Sequence, residues 1–220
     1  MKDKLKLVGF ALWLLSLAIL LTIYLAWAIY PLENHWLNLA SLRGLSSQQL
    51  LHNFHQLMGY LTLPWVTKLK MSNFPSSADG LAHFRDVKHL FHLDQAIFLL
   101  GLVPSWLYFR RQLRIKSFWL SSRVFSGLAT LPVLLGILAF FIGFDQFFTL
   151  FHHLLFPGAT NWLFNPYTDP IIWVLPEDYF LHCFILFFVL YEIVMLGCFW
   201  LSKGSLQAYR KEQENGVVSK

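Results

Sequence analysis

The sequence predicts an all-α integral membrane protein with four transmembrane helices, both termini in the cytoplasm, and two outer segments carrying interfacial helices and a structured loop. Three observations predict it. Hydrophobic residues make up 56% of the 220 and charged residues only 13%, with a mean hydropathy of +0.52, far more apolar than a soluble domain needs. Four apolar stretches, at about residues 7–30, 90–109, 124–144 and 179–201, have the length to cross a bilayer core. The bulk of the 17 Lys and Arg sits where this count puts one side of the membrane: Lys2, Lys4 and Lys6 before the first stretch, Arg110, Arg111, Arg114, Lys116 and Arg123 between the second and third, and Lys203, Arg210, Lys211 and Lys220 after the fourth. Short basic links stay cytoplasmic. All nine histidines then fall along the outer segments or at their ends.

The first stretch carries no charge across residues 7–30. Ala26-Trp27-Ala28 has the small-x-small form of a cleavage site, but the apolar run exceeds the roughly 7–15 residues of a signal-peptide core, so it is taken as a span. In the outer segment 31–89, Ser46-x-x-Gln49 marks a helix start. Leu50, Leu51, Phe54, Leu57, Met58 and Leu61 then recur at three- and four-residue spacing, with His52, Asn53, Gln56 and Gly59 between them, the pattern of a helix lying in the membrane surface. Pro64 ends it. After the polar stretch 72–80 a new helix starts near Asp79 and runs into the second span, which holds His92 and Asp94 at its outer end and Pro104 in its middle. The outer segment 145–178 opens with a short apolar helix, halted by Pro157-Gly158 and read as dipping into the bilayer. Pro166, Pro170 and Pro176 then preclude continuous helix and imply a structured loop. The tail, 202–220, reads as a solvated end, and residues 1–220 as a single membrane domain.

Cys183 and Cys198 lie 15 residues apart on the fourth span, roughly 22 Å along a helix, which rules out a disulfide between them and a cysteine-based zinc site. The net charge of +5 follows the topology, and no nucleic-acid module is discernible.

The chemistry-bearing residues fall in both outer segments. His83 and Asp86, three apart on one helix, can touch, and a carboxylate there would fix the imidazole tautomer and raise its basicity. A solvated polar face would look the same. His152 stands in a run of Phe and Leu where an unpaired ring costs about 1–3 kcal/mol, so it needs a partner, and Asp145 and Thr149 share its helical face. Ionisable groups at membrane depth are candidates for function. Glu192, in the middle of the fourth span, would pair with Arg123 or serve helix packing. No Gly-x-Ser-x-Gly elbow or His-Glu-x-x-His is present, and the facing of His83, His89 and His92 is split.

The chain resembles the bacterial lipoprotein intramolecular transacylases, Lit. Two stretches carry the resemblance: His83-Phe84-Arg85-Asp86-Val87-Lys88, and Phe148-Thr149-Leu150-Phe151-His152 continuing through Asn161-Trp162-Leu163-Phe164-Asn165-Pro166, Thr168-Asp169-Pro170 and Leu175-Pro176-Glu177. Asn165 stands where an aspartate is expected before Pro166. The resemblance implies that the sn-2 acyl chain of a diacylglyceryl lipoprotein moves to the α-amino group of its N-terminal cysteine, giving the lyso form, at the outer face of a bacterial cytoplasmic membrane. It implies catalytic roles for His83 and His152, and supporting roles for Asp86, Asp145, Asn161, Trp162 and Asp169. His83 would take the amine proton and His152 polarise the ester or protonate the leaving alkoxide, or the reverse, with Asn161 and Trp162 donating to the oxyanion. The partners are the lipoprotein and membrane lipid, with no cofactor, no metal and no nucleic acid. The rival readings are a metal-dependent lipid hydrolase on His83, His89 and His92, and a non-enzymatic membrane sensor or assembly protein.

Overall fold

The computed structural model describes residues 2–218; Lys220, one of the basic residues of the tail, and the side chain of Lys2 lie outside that description. Among the described residues there are six α-helices: α1 Lys2–Leu37, α2 Ser47–Thr62, α3 Ala78–Arg114, α4 Ser122–Ile142, α5 Phe144–Leu155 and α6 Glu177–Val218. Four stretches, Asp3–Leu37, Ala78–Arg114, Phe118–Ile142 and Glu177–Glu214, are long and apolar enough to cross a membrane, matching the four expected spans. Their outward faces are apolar, with Leu100, Phe140 and Phe141 almost fully exposed, as helices require when lipid rather than water surrounds them.

The chain divides into two compact units. The first comprises Met1–Leu21, Gln95–Leu138 and Phe187–Lys220. Its core is aromatic: Phe10 is ringed by Trp13, Tyr108, Phe109, Phe118 and Phe125. Helices α1 and α3 meet closely at Gly101, where an added Cβ would stand 2.8 Å from Trp13 Cδ1, and the Trp13 indole donates to the Phe98 carbonyl at 3.1 Å. Helix α6 continues beyond the apolar stretch to Val218. Its Lys, Gln, Ala, Arg and Glu are strong helix formers, and Lys116 pairs with Glu212 while Trp119 packs on Tyr209. The expected Arg123–Glu192 pair is absent: Arg123 is exposed in the first turn of α4, and Glu192 Oε1 is buried without a hydrogen-bond partner among the described residues.

The second unit comprises Thr22–Asp94 and Ala139–Leu186. Helix α1 runs past Pro31, beyond its expected end, and stops where Asn38 turns left-handed (φ 53°), with Asn34 accepting from the Ala40 N–H at 2.9 Å. Tyr30 is fully buried, stacked on Phe54 and donating to the Val174 carbonyl at 2.6 Å. Glu33, also buried, accepts from His182 Nδ1 at 2.8 Å. Helix α2 begins with the capping box read from Ser46 and Gln49. Its polar side differs in one respect: Asn53 is fully buried, exchanging hydrogen bonds with Asn73 at 2.8 Å each way.

The other end of α2 is closed by Lys88, whose ammonium donates to the carbonyls of Tyr60, Leu63 and Val66 at 2.6, 3.0 and 2.6 Å and lies over the Tyr60 ring. Charge-assisted donors to the last carbonyls of a helix stabilise it. Lys88→Met keeps the apolar stem and removes the donors, so thermal unfolding is expected to show a loss of about 1–3 kcal/mol.

Candidate functional site

The site grows from two helices of the second unit. A proline-punctuated segment frees the chain between residues 63 and 77, so that α3 restarts at Ala78 with Ser77 as its cap: the Ser77 hydroxyl accepts from the Gly80 N–H at 3.0 Å. Six residues in, α3 carries His83. Helix α5 follows α4 after Gly143, whose φ of +84° allows the chain to turn, and carries His152 one turn before its end at Leu155. Both imidazoles are 8% exposed, and their ring centroids are 5.8 Å apart. The two histidines expected to converge do so.

Aromatic rings wall the pair. Trp162 stacks on His152 with centroids 4.7 Å apart, and Phe148 and Phe156 also lie against that ring. Phe156 and Phe164 meet His83 edge-on at 5.0 and 5.5 Å. His153, the next residue on α5, is exposed.

A hydrogen bond assigns the tautomer of one of the two rings. His152 Nδ1 lies 2.8 Å from the carbonyl of Phe148, one turn back on its own helix. A carbonyl only accepts, so Nδ1 carries the proton and Nε2 keeps a lone pair. Burial pushes the His152 pKa below the ordinary histidine value of 6.5, opposed by the Phe148 carbonyl and assisted by His153. The ring is therefore neutral at neutral pH and able to accept a proton at Nε2. His83 Nδ1 is buried with no partner among the described residues.

The supporting residues are arranged differently from the sequence expectation. Asp86 accepts from the Asn161 amide at 3.1 Å; no hydrogen bond joins it to His83 Nδ1. Asp145 is exposed in the first turn of α5, and the partner of His152 is the Phe148 carbonyl instead. The Trp162 indole N–H is committed to the Ala159 carbonyl at 3.0 Å, which leaves stacking as its contribution. Asp169, 2% exposed, reaches the site indirectly: Oδ1 accepts from the Ser77 N–H at 2.7 Å and Oδ2 from the Thr168 hydroxyl at 2.8 Å. One carboxylate thus ties the loop after α5 to the start of the helix bearing His83, and it fits because residue 80 is glycine. A Cβ there would stand 2.2 Å from Asp169 Oδ1.

Sequence reasoning missed the Phe148 carbonyl and Gly80. The first was legible as the i−4 carbonyl of a buried helical histidine; Gly80 gave no signal beyond being a glycine near a helix start. His89 is exposed, and among the described residues no three His, Cys, Asp or Glu side chains converge as a metal site.

The family model described as lipoprotein intramolecular transacylase Lit matches residues 5–180 of the chain. Among solved structures, the membrane-integral lipoprotein intramolecular transacylase Lit of Bacillus cereus superposes with a TM-score of 0.82 at 25% identity, covering 96% of this chain and 98% of that one. Two forms of the Bacillus cereus protein in which a histidine is replaced, by arginine and by alanine, share the fold at TM-scores of 0.75 and 0.76, with 24% identity and 96% of this chain covered in each. No curated protein matches.

Proposed function

Since the chain belongs to the Lit family of lipoprotein intramolecular transacylases, and is thus a membrane-integral enzyme of acyl transfer, we propose that it moves the sn-2 acyl chain of a diacylglyceryl lipoprotein to the α-amine of the same N-terminal cysteine, at the outer face of the cytoplasmic membrane of a Gram-positive bacterium. The observation that carries this reading is the pair of buried imidazoles 5.8 Å apart, one with its lone pair fixed at Nε2.

An ester-to-amide migration within one molecule needs no enzyme nucleophile, because the amine is already tethered near the carbonyl. It needs a proton moved. The neutral amine attacks the sn-2 carbonyl carbon, and the new C–N bond forms as the carbonyl becomes an oxyanion. His152 Nε2 takes a proton from the nitrogen. The tetrahedral carbon then expels the glyceryl oxygen, which receives the proton from the His152 imidazolium, and the ring returns to its starting state. The Phe148 carbonyl holds the Nδ1 proton throughout, so the imidazolium formed in between is hydrogen-bonded rather than bare. Of the two orders weighed from the sequence, this tautomer favours His152 as the proton carrier. His83, whose Nδ1 has no partner among the described residues, would hydrogen-bond the ester. The rings Phe148, Phe151, Phe156 and Phe164 offer apolar surface to the acyl chain.

The test is the N-terminal mass spectrum of lipoproteins from a host that makes only the diacyl form. Expression of this chain is expected to convert the N-terminus to the lyso form, with one acyl chain on nitrogen and one on glycerol. Treatment of the purified protein with a chelator should leave that conversion unchanged. Loss of an acyl chain with no N-acylation would instead support a hydrolase.

A further inference from the structure

We propose that Asn161 is the residue that receives the substrate's α-amine, its side-chain carbonyl accepting an N–H from that amine while the neighbouring Asp86 supplies negative charge. The assignment rests on the transacylase reading and specifies how the nucleophile is held. Its starting point is the orientation of one amide. Asn161 Nδ2 lies 3.1 Å from Asp86 Oδ2, and a carboxylate oxygen only accepts, so the NH2 end of the amide must face it. The carbonyl end is then turned the other way by chemistry, although oxygen and nitrogen have nearly the same shape.

That carbonyl oxygen, Oδ1, is buried and has no partner among the described residues. Buried polar atoms in folded proteins are satisfied with few exceptions, and each exception asks for an explanation. Here the surroundings supply one. Asp86 lies three residues after His83 on α3, so the two share a face. His83 Nδ1 is the other unpartnered atom of this corner. Trp162, the next residue in the chain after Asn161, is the one stacked on His152. Asn161 thus lies one hydrogen bond from the helix that bears His83 and one residue from the ring stacked on His152.

The donor it lacks can be identified from the reacting groups. The ester offers only acceptors, and the glyceryl hydroxyl exists only after the acyl chain has left. The amine is the donor present from the start. A neutral primary amine has two N–H bonds and one lone pair, and productive attack assigns all three: the lone pair to the carbonyl carbon, one N–H to the base, and the second to Asn161 Oδ1. Only the first of these hydrogens leaves. The second becomes the N–H of the product amide and can keep its bond to Asn161 throughout, so the nitrogen need not be released while the acyl chain transfers. Before deprotonation, the ammonium form would be drawn to the same corner by the Asp86 charge.

Binding without turnover tests this. The probes are two diether lipopeptides, which carry no ester to transfer: one with the free cysteine α-amine, one with hydrogen in its place. The wild-type protein in detergent is expected to bind the amine form about 10- to 100-fold more tightly, the range of a hydrogen bond involving a charged group. Asn161→Ala should cut that preference about tenfold, what is left reflecting the Asp86 charge, and leave affinity for the desamino form unchanged, which also shows that the variant is folded. If Asn161→Ala does not fold, Asn161→Ser, too short to reach, serves the same comparison. A wild-type preference that survives either substitution undiminished overturns the assignment, as does equal binding of the two probes by the wild type. The diester lipopeptide assayed in parallel separates the two levels: if the wild type forms no lyso product, the transacylase reading fails, whereas turnover with an unchanged preference removes Asn161 alone.

Discussion

His152→Gln is expected to lower formation of the lyso lipoprotein by about 10²–10⁴-fold, the usual share of a side chain that moves a proton in the rate-limiting step. Glutamine is of similar length and can still donate to the Phe148 carbonyl and lie against Trp162, so the packing around α5 is retained. What it lacks is a group that accepts and returns a proton. The loss should therefore fall on kcat, with KM changed little. His83→Gln is expected to be damaging in the same assay, since it removes the only other imidazole of the pair.

The pH profile sharpens this expectation. Burial holds the His152 pKa below 6.5, so its base form persists into mildly acidic solution. In the wild type, log kcat/KM should bend once near pH 8, where the free α-amine of the substrate titrates, and again below 6.5, where His152 does. The second bend should vanish in His152→Gln. The sign for stability is the same. A histidine whose folded pKa is depressed binds its proton more readily when unfolded, so its contribution is complete above pH 6.5 and declines as pH falls toward the folded value. A variant that kept the lower bend, or a rate within threefold of wild type, would remove His152 from the mechanism.

The second large effect concerns a residue that touches neither ring. Gly80→Val is expected to destabilise the protein by about 2–4 kcal/mol, combining overpacking with the loss of a helix cap. The Cβ would fall 2.2 Å from Asp169 Oδ1, and the carboxylate would have to leave the Ser77 N–H. Asp169 is buried, so its displacement strands a charge as well as a donor. Because α3 then begins without its clamp, His83 should lose its register against His152, and activity should fall further than the residual folded fraction accounts for. Thermal unfolding and the lyso-product assay, run on Gly80→Val and Gly80→Ala, check both halves. An active and fully stable Gly80→Val would show that the clamp does not set the ring positions.

The four spans were legible because bilayer thickness and positive charge leave coarse, additive marks on a sequence. The α2 capping box was legible because a cap is a local device, complete within four residues. The convergence of His83 and His152 was less so: polar residues in apolar surroundings marked each as a candidate, while their meeting depended on residues 69 apart in the chain. The hydrogen-bond partners were missed for one reason. Neighbours on the same helical face were offered to each histidine, Asp86 three residues from His83 and Asp145 seven residues from His152, whereas the loop after α5 supplied Asn161 to Asp86, and the backbone itself supplied the carbonyl to His152. Side-chain spacing cannot report a contact made by a main-chain atom. Helix α6 outran its expected end because hydropathy marks where a span stops being apolar, not where a helix stops being helical.

The bond from His152 to the carbonyl of Phe148 carries a consequence for how this site can fail. Where a carboxylate orients a catalytic imidazole, an amide in its place can reverse which nitrogen holds hydrogen, and a single codon change can silence the enzyme that way. Here the orienting atom belongs to the peptide backbone, common to all residues, so no change of side chain at 148 can invert the ring. The protonation pattern is inherited from the helix and is lost only when that turn of helix is lost.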